Sequence, residues 1–473
     1  MRSFDDEVTL TIDGMDSKSR GIARMDGYVV FVPGALVGET VLAKFVERRK
    51  HYGVATIKSI LKSSDYRVPP KCEYYEACGG CDLQHASYDY QLSAKEHLIG
   101  EAITRIGKWP NVIIEPIVPS PQVWGYRNKA IIHTRFQKNQ KKLGYFARGT
   151  HEVIDIKRCP VLDPLLNDLY NLMRDVIEHS DVTFYDERSS NGLLRHVVMR
   201  SSLSSRKTLM AWILSRKPKR SEMDELKRIS TQLINRQSSN LQGIIVNINI
   251  SKGNFVWGPE TFLLAGDEIN LRERLGAFEL SYNVSDFFQV NVPQAYNICK
   301  TVSKHIADNS RVLELYAGVG TITCFLASIC ENVVAVEEWQ PACKSLSLNI
   351  AKNGLSNVLV ACGKAEDVVF NKIDGDFDAI VLDPPRTGCH KDVLTFIGKI
   401  RPTKIVYVSC NPVTLARDGK VLMDMGYKPV NLLPLDMFPQ TSHVECVTLM
   451  TRTSQTTGGN HKLDEKDISA SKL

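Results

Sequence analysis

The sequence predicts a multidomain α/β protein. Three observations carry this. At 473 residues the chain is longer than one hydrophobic core usually serves, and about three domains is the expectation. From about residue 285, strand-like and helix-like segments alternate, as in a doubly wound parallel sheet. Before that point, short strands bounded by turn residues dominate. The expected units are a small all-β barrel over 1–64, an α+β unit over 65–280 and the doubly wound sheet over 281–453. A polar tail over 454–473 is expected to be disordered.

Composition narrows the class. The hydrophobic fraction of 43% is ordinary for a soluble globular protein, and no apolar run is long enough to span a bilayer. The opening residues, with Asp5, Asp6 and Glu7, lack the apolar core of a secretory signal. A cytoplasmic monomer is expected. The twelve cysteines then read as metal-binding or catalytic in part, without disulfides. A net charge of +6 is modest, so its distribution matters more than its sum.

The first unit shows strand patterns at Val8–Ile12, Tyr28–Val32 and Thr40–Phe45, with glycine- or proline-containing turns between. The run Arg48-Arg49-Lys50-His51 follows. It reads as a solvated loop or as a contact for a phosphate backbone. Gly21–Gly27 and Phe31-Val32-Pro33-Gly34 resemble the TRAM domain of RNA-modifying enzymes. That resemblance implies an OB-like barrel and RNA binding.

The second unit opens on Cys72, Cys78-Gly79-Gly80 and Cys81, three cysteines in ten residues with glycines that let the backbone wrap tightly. They read as metal ligands. No histidine pair follows at zinc-finger spacing, and the next cysteine, Cys159, precedes Pro160. An iron–sulfur set split in this way and a structural zinc site both remain open. From Pro116 to His151 there is no acidic residue. Arg127, Lys129, Arg135, Lys138, Lys141, Lys142 and Arg148 fall there among Trp124, Tyr126, Phe136, Tyr145 and Phe146. Cations for phosphates and rings for splayed bases suit single-stranded or looped RNA. An ordinary hairpin with aromatic core and solvated charges fits equally. A second basic group lies at Arg216–Arg220. Over 160–280, helices at Leu165–His179 and Ser221–Arg236 accompany strands at Leu193–Arg200, Thr208–Leu214 and Gly243–Ile250. An antiparallel sheet is expected there.

In the third unit, Val312–Tyr316 is a strand, Ala317–Thr321 a glycine-containing turn, and Val333–Glu337 a second strand ending in an acid. Val358–Cys362, Ala379–Leu382 and Ile405–Val408 continue the series. The turn lets a ligand approach the backbone, and Glu337 is placed for a ribose diol. Gly318-Val319-Gly320 lacks the third glycine of a pyrophosphate-binding turn. That favours an adenosine ligand such as S-adenosylmethionine. Cys410 falls where a strand ends and a helix begins, with Asn411 as N-cap and Pro412 in the first turn. It reads as a small buried residue or as a nucleophile activated by helix N–H groups.

Ser285–Asn291, Leu315–Gly320, Asp383-Pro384-Pro385-Arg386-Thr387-Gly388 and Ser409-Cys410-Asn411-Pro412 together resemble the RNA 5-methyluridine methyltransferase family. With the TRAM-like start and the four cysteines, the likeness is to its iron–sulfur branch that methylates uridine in 23S ribosomal RNA. It implies S-adenosylmethionine contacts at Gln289, Tyr316, Glu337 and Asp383, and Cys410 as nucleophile. It also implies Glu445 as proton acceptor and a 4Fe-4S cluster on Cys72, Cys78, Cys81 and Cys159. Ala317 stands where many members have Cys, and Thr321 where some have Asn. Arg386, next to a chain-reversing Pro-Pro, reads as holding the uracil edge or a phosphate, or as an ordinary loop arginine, and Lys364 has no assigned role. Two rivals are an amino-methyltransferase and a non-catalytic RNA-binding factor. Arg386 in place of a stacking aromatic argues against the first, and intact Cys410 and Glu445 against the second. A transfer-RNA uridine is the alternative substrate.

Overall fold

The computed structural model describes residues 7–453 except 138, 139, 188, 238, 239, 252, 254, 372 and 374. The expected tail from 454 and Lys138 therefore lie outside the described residues.

The first sheet has six strands, in the order Glu7–Thr11, Thr40–Arg48, Tyr52–Lys62, Tyr28–Pro33, Arg20–Met25, Gly14–Met15. Strict alternation sends Val8 and Leu10 inward and their neighbours outward. Val8 and Leu10, on one edge strand, share a core with Ala23 near the other edge. A sheet whose two ends share one core must curl. Arg67 grips Glu39 with two hydrogen bonds, 2.6 and 2.7 Å, and joins this sheet to the chain that follows.

The second sheet has seven strands: Val153–Asp155, Gln140–Phe146, Lys129–Gln137, Leu194–Ser201, Thr208–Leu214, Leu241–Ile248 and Glu260–Gly266. It is not antiparallel throughout, as the sequence suggested. Thr208–Leu214 and Leu241–Ile248 run parallel, because helix Arg220–Arg236 makes the crossover that a parallel pair needs. Leu194–Ser201 and Thr208–Leu214 are buried at every residue, which reports cover on both faces. Val197, Met199 and Trp212 face helices Pro164–Glu178 and Arg220–Arg236. Val198, Ala211 and Ile213 face the other way, into the core of the C-terminal half.

The third sheet has eight strands, in the order Val358–Cys362, Asn332–Glu337, Arg311–Leu315, Ala379–Leu382, Lys404–Ser409, Glu445–Arg452, Tyr427–Leu435, Ile113–Ile114. The first five are parallel, and Glu445–Arg452 turns antiparallel. Ile113–Ile114 comes from far upstream of residue 281. So does helix Tyr88–Glu101, continued by a π-helical turn over Ala102–Gly107. Ile99, Ile103 and Trp109 share the core of the third sheet with Leu415 and Ala416. Lys95, fully buried on that helix, donates to Asp436 Oδ1 at 2.5 Å and to the Phe438 carbonyl at 3.1 Å. Tyr88 donates to Asp436 Oδ2 at 2.8 Å. A buried charge needs such partners, and these fix the loop that leads into Glu445.

Candidate active site

Parallel strands present their C-terminal ends along one edge, and ligands of open α/β sheets bind there. Tyr316 follows Arg311–Leu315, Asp383 follows Ala379–Leu382, and Cys410 follows Lys404–Ser409. Helix Pro412–Asp424 starts two residues after Cys410, with Pro412 in its first turn. The Asn411 side chain accepts from Val413 N at 3.1 Å, the cap its sequence predicts. Ser409 pairs with Cys446 across the antiparallel strands, which sets Glu445 opposite Cys410.

Cys410 is half-buried, and two carboxyls stand beside it. Burial, then the charges of Glu445 and Asp383, push the Cys410 thiol up to about 11, against the pull of Arg386. Burial, then Asp383, raises Glu445 well above the carboxylate range. Burial raises Asp383 to about 7. Cys410, its thiol pushed up, thus lies beside two carboxyls that resist ionising together. Burial and the two carboxyls outweigh Arg386 and a backbone hydrogen bond, which lower the thiol.

Arg386 completes the wall. Its Nη2 donates to His443 Nδ1 at 3.1 Å, and its carbonyl accepts from Asn411 Nδ2 at 3.0 Å. Burial, then Arg386, lowers the His443 pKa, so the ring stays neutral and accepts. His443 was visible only as a neighbour of Glu445 in sequence.

A second pocket beside this edge is lined by Gln289, Tyr316 and Asp383, with Glu314, Gly318 and Thr321. Tyr316 has φ 68°, a left-handed conformation rare outside glycine. Gly318 has φ 58°, and a Cβ there would meet nothing within 4 Å, leaving its backbone open to a ligand. Glu337 stands at the next strand end. Its Oε2 accepts from Gly318 N at 2.8 Å and its Oε1 from Trp339 N at 2.7 Å. Each oxygen keeps acceptor capacity for a ribose hydroxyl. Glu314 was missed. It is 2% exposed, its pKa is raised to about 8 by burial against a Thr323 hydrogen bond, and its Oε2 has no closer hydrogen-bond partner among the described residues. An acid inside the apolar run Val312–Leu315 was the available signal. The expectation of no disulfides also fails. Cys343 and Cys362 are bonded, with Cα atoms 6.0 Å apart. Strand pairing places Cys362 opposite Glu337, and Cys343 Sγ lies 3.2 Å from the Glu337 carbonyl oxygen.

Cys72, Cys78, Cys81 and Cys159 converge. Burial raises Cys81 to about 12 and Cys159 to about 11, and the neighbouring thiols add to both shifts. Backbone contacts hold the loops. Cys72 N donates to Gln84 Oε1 at 3.1 Å, Cys159 N to Asn167 Oδ1 at 2.9 Å, and Gly79 N to the Phe146 carbonyl at 3.0 Å. Among the described residues, no three His, Cys, Asp or Glu side chains close on a single metal ion.

A cleft of 1380 Å³ opens onto Cys410. Ser17–Arg20 and Ile57 of the first sheet, the cysteine loop, Phe146–Thr150, Arg386 and His443 line it. The basic hairpin is only partly turned toward it. Arg135 pairs with Glu187, and Lys141 donates to the Ser180 carbonyl at 2.8 Å just beyond helix Pro164–Glu178. These two serve the fold, not the cleft. Lys18, Arg20, Arg67, Arg148 and Arg386 are its cations, and of these Arg20, Arg67 and Arg148 are paired with Asp16, Glu39 and Asp82.

A family model described as tRNA (uracil-5-)-methyltransferase matches residues 88–453, and the TRAM domain model matches 6–58. The chain belongs to the tRNA (uracil-5-)-methyltransferase family. An "Uncharacterized RNA methyltransferase" of Clostridium tetani is 34% identical, over 93% of this chain and 95% of the relative. Another from Listeria innocua is 35% identical, over 94% and 97%. The crystal structure of Pyrococcus abyssi tRNA (uracil-54, C5)-methyltransferase with S-adenosyl-L-homocysteine superposes with a TM-score of 0.74 at 26% identity. It spans 94% of this chain and 100% of that one. Family membership makes this chain an S-adenosylmethionine-dependent RNA uracil-5-methyltransferase. No helix among the described residues is long and apolar enough to cross a membrane.

Proposed function

We propose that the protein methylates C5 of a uridine in 23S ribosomal RNA through a covalent bond between Cys410 Sγ and uracil C6, with Glu445 removing the C5 proton. The observation that carries this reading is the strand register that sets the buried Glu445 opposite Cys410, and Cys410 lines a basic, aromatic cleft. Uracil C5 is a weak nucleophile. Addition of Cys410 to C6 makes the ring an enolate, and the thiol proton passes to the Asp383–Glu445 pair. Bound S-adenosylmethionine supplies the electrophilic methyl group that C5 takes, together with one positive charge. A positive charge beside the two carboxyls favours their ionised forms, so Glu445 becomes a base when the site is loaded. Glu445 takes the C5 proton and the C6–Sγ bond breaks, returning Cys410. Arg386, held by His443, is positioned to grip the uracil edge.

For the cofactor, the proposed contacts are Gln289, Tyr316, Glu337 and Asp383. The open face of Gly318 and the buried Glu314 Oε2 fit an adenosine with a cationic amino acid tail. For Cys72, Cys78, Cys81 and Cys159 the proposal is a 4Fe-4S cluster. What supports it is that the four thiols lie close enough to raise one another's pKa. The proposed units are 1–64, 65–280 and 281–453, the last taking in the upstream Ile113–Ile114 strand.

A transfer-RNA uridine is the second reading, favoured by the likeness to the Pyrococcus abyssi tRNA (uracil-54, C5)-methyltransferase along nearly the whole chain. Mass mapping of 5-methyluridine in ribosomal and transfer RNA from a deletion strain decides. Loss of one 23S site supports the first reading, loss of a transfer-RNA site the second, and no loss refutes both.

A further inference from the structure

Two rings on one wall of the cleft, His133 and Phe146, belong to a stack of three, completed by His151 at its rim, that methyl transfer does not use. His133 and Phe146 lie face to face, with centroids 3.7 Å apart and planes 13° from parallel. Phe146 faces His151 in turn, at 5.2 Å and 14°. His196 closes the inner end, edge-on to His133 at 5.0 Å. The outer end is open. The His151 side chain is 61% exposed, with Glu187 Oε2 3.3 Å from its Nδ1. His133, Phe146, Gly149 and Thr150 line the same cleft as Cys410.

The stack is built on a firm base. Ala147 N donates to the Glu152 carbonyl at 2.8 Å and Thr150 N to the Ala147 carbonyl at 3.1 Å, closing the turn that aims His151. Gly149 takes the φ of 68° that this turn requires. From behind, the cysteine loop braces it. Gly79 N bonds the Phe146 carbonyl, and Arg148 Nη2 donates to the Cys81 carbonyl at 2.7 Å. Burial, then Arg135, lowers the His133 pKa to about 4, so Phe146 rests on a neutral ring. The last ring of this stack is exposed. This stack leaves it at the edge of a cleft whose cations suit phosphates.

We propose that the His133–Phe146–His151 stack is a docking platform for an unpaired nucleobase of the RNA other than the methylated uridine, the base continuing the stack on the open face of His151. The inference rests on the reading that RNA fills the cleft. It gives the cysteine loop a purpose, which is to hold a base-recognition surface at a fixed distance from Cys410. Every nucleobase has a π face, so the platform selects for an unpaired base at a set spacing more than for its identity.

The test is an abasic scan. The probe is a short single-stranded RNA with one central uridine, and a single abasic position is moved along it. Affinity is read by fluorescence anisotropy without cofactor. In the wild type, one abasic position away from the uridine should weaken binding about 5- to 150-fold. In His151→Ala that position should cost little further, and His151→Trp should restore its penalty. Unchanged cofactor affinity serves as the control for folding. Phe146→Ala is a second arm, and His151→Ala, on an exposed turn, stands if that variant fails to fold. Equal abasic penalties in wild type and His151→Ala at every position would overturn the platform. Binding does not depend on methyl transfer. Base coupling without any Cys410 adduct would refute the proposed chemistry alone, and an adduct without base coupling would refute the platform alone.

Discussion

Glu445→Gln isolates the last chemical step. Glu445 is 2% exposed, and burial, then Asp383, raises its pKa well above the carboxylate range. The amide is nearly isosteric, so folding and RNA binding should hold. In the loaded site the variant has no base for the C5 proton. A positioned general base contributes about 10²- to 10⁴-fold, roughly 3–5 kcal/mol. With so little solvent access, the loss should fall toward the upper end. Cys410 still adds to C6 and C5 still takes the methyl, so the intermediate is stranded. Incubating Glu445→Gln with normal RNA and S-adenosylmethionine should give a protein–RNA band of lowered mobility on a denaturing gel. Cys410→Ala/Glu445→Gln should give none. Single-turnover measurement should show the methyl incorporated but product released at least about 100-fold more slowly than in the wild type. Turnover within tenfold of the wild type, with no band, would refute the assignment and point to Asp383.

Other substitutions reach the remaining parts of the account. Asp383 titrates near 7 folded against 3.8 unfolded, so the folded protein binds more protons in between and loses stability as pH rises through that window. Asp383→Asn should therefore stabilise the cofactor-free protein at pH 8 by up to about 4 kcal/mol, read as a raised melting temperature, with no gain by pH 4; a gain independent of pH would contradict this. Glu337→Gln should weaken S-adenosylhomocysteine binding roughly 10- to 100-fold by calorimetry, as loss of a charged acceptor implies, and an unchanged affinity would remove Glu337 from the site. Protein purified without oxygen should be brown and contain iron and sulfide, lost together in Cys81→Ser and Cys159→Ser; stoichiometric zinc in their place would contradict the cluster.

Local features were legible and distant partnerships were not. Cys410 at a strand–helix junction, its Asn411 cap and the glycine turn after Leu315 follow from adjacent residues, and the structure has them. The family resemblance, not spacing, pointed to Glu445. Its place opposite Cys410 depends on the register of two strands joined through a long excursion. Helix Tyr88–Glu101 went unread because its buried side includes Gln91 and Lys95, and Lys95 finds its counter-charge at Asp436, more than three hundred residues on. The basic hairpin was overread for a similar reason. Sequence counts cations, but only the fold shows that Arg135 and Lys141 are occupied by Glu187 and by helix-end carbonyls. The aromatic members were the informative ones. His133 and His151, eighteen positions apart, meet on the two faces of Phe146.

The central claim is that Cys410 bonds to the target uracil. The most direct measurement uses RNA carrying 5-fluorouridine at the mapped site, because fluorine at C5 cannot leave as a proton and the adduct persists. After incubation with S-adenosylmethionine, nuclease and protease digestion and mass spectrometry locate the modified peptide. The account predicts a methylated fluorouridine on Cys410 in the wild type and no adduct in Cys410→Ala, which should still bind S-adenosylmethionine. An adduct that persists in Cys410→Ala, or one found on another cysteine, would contradict it.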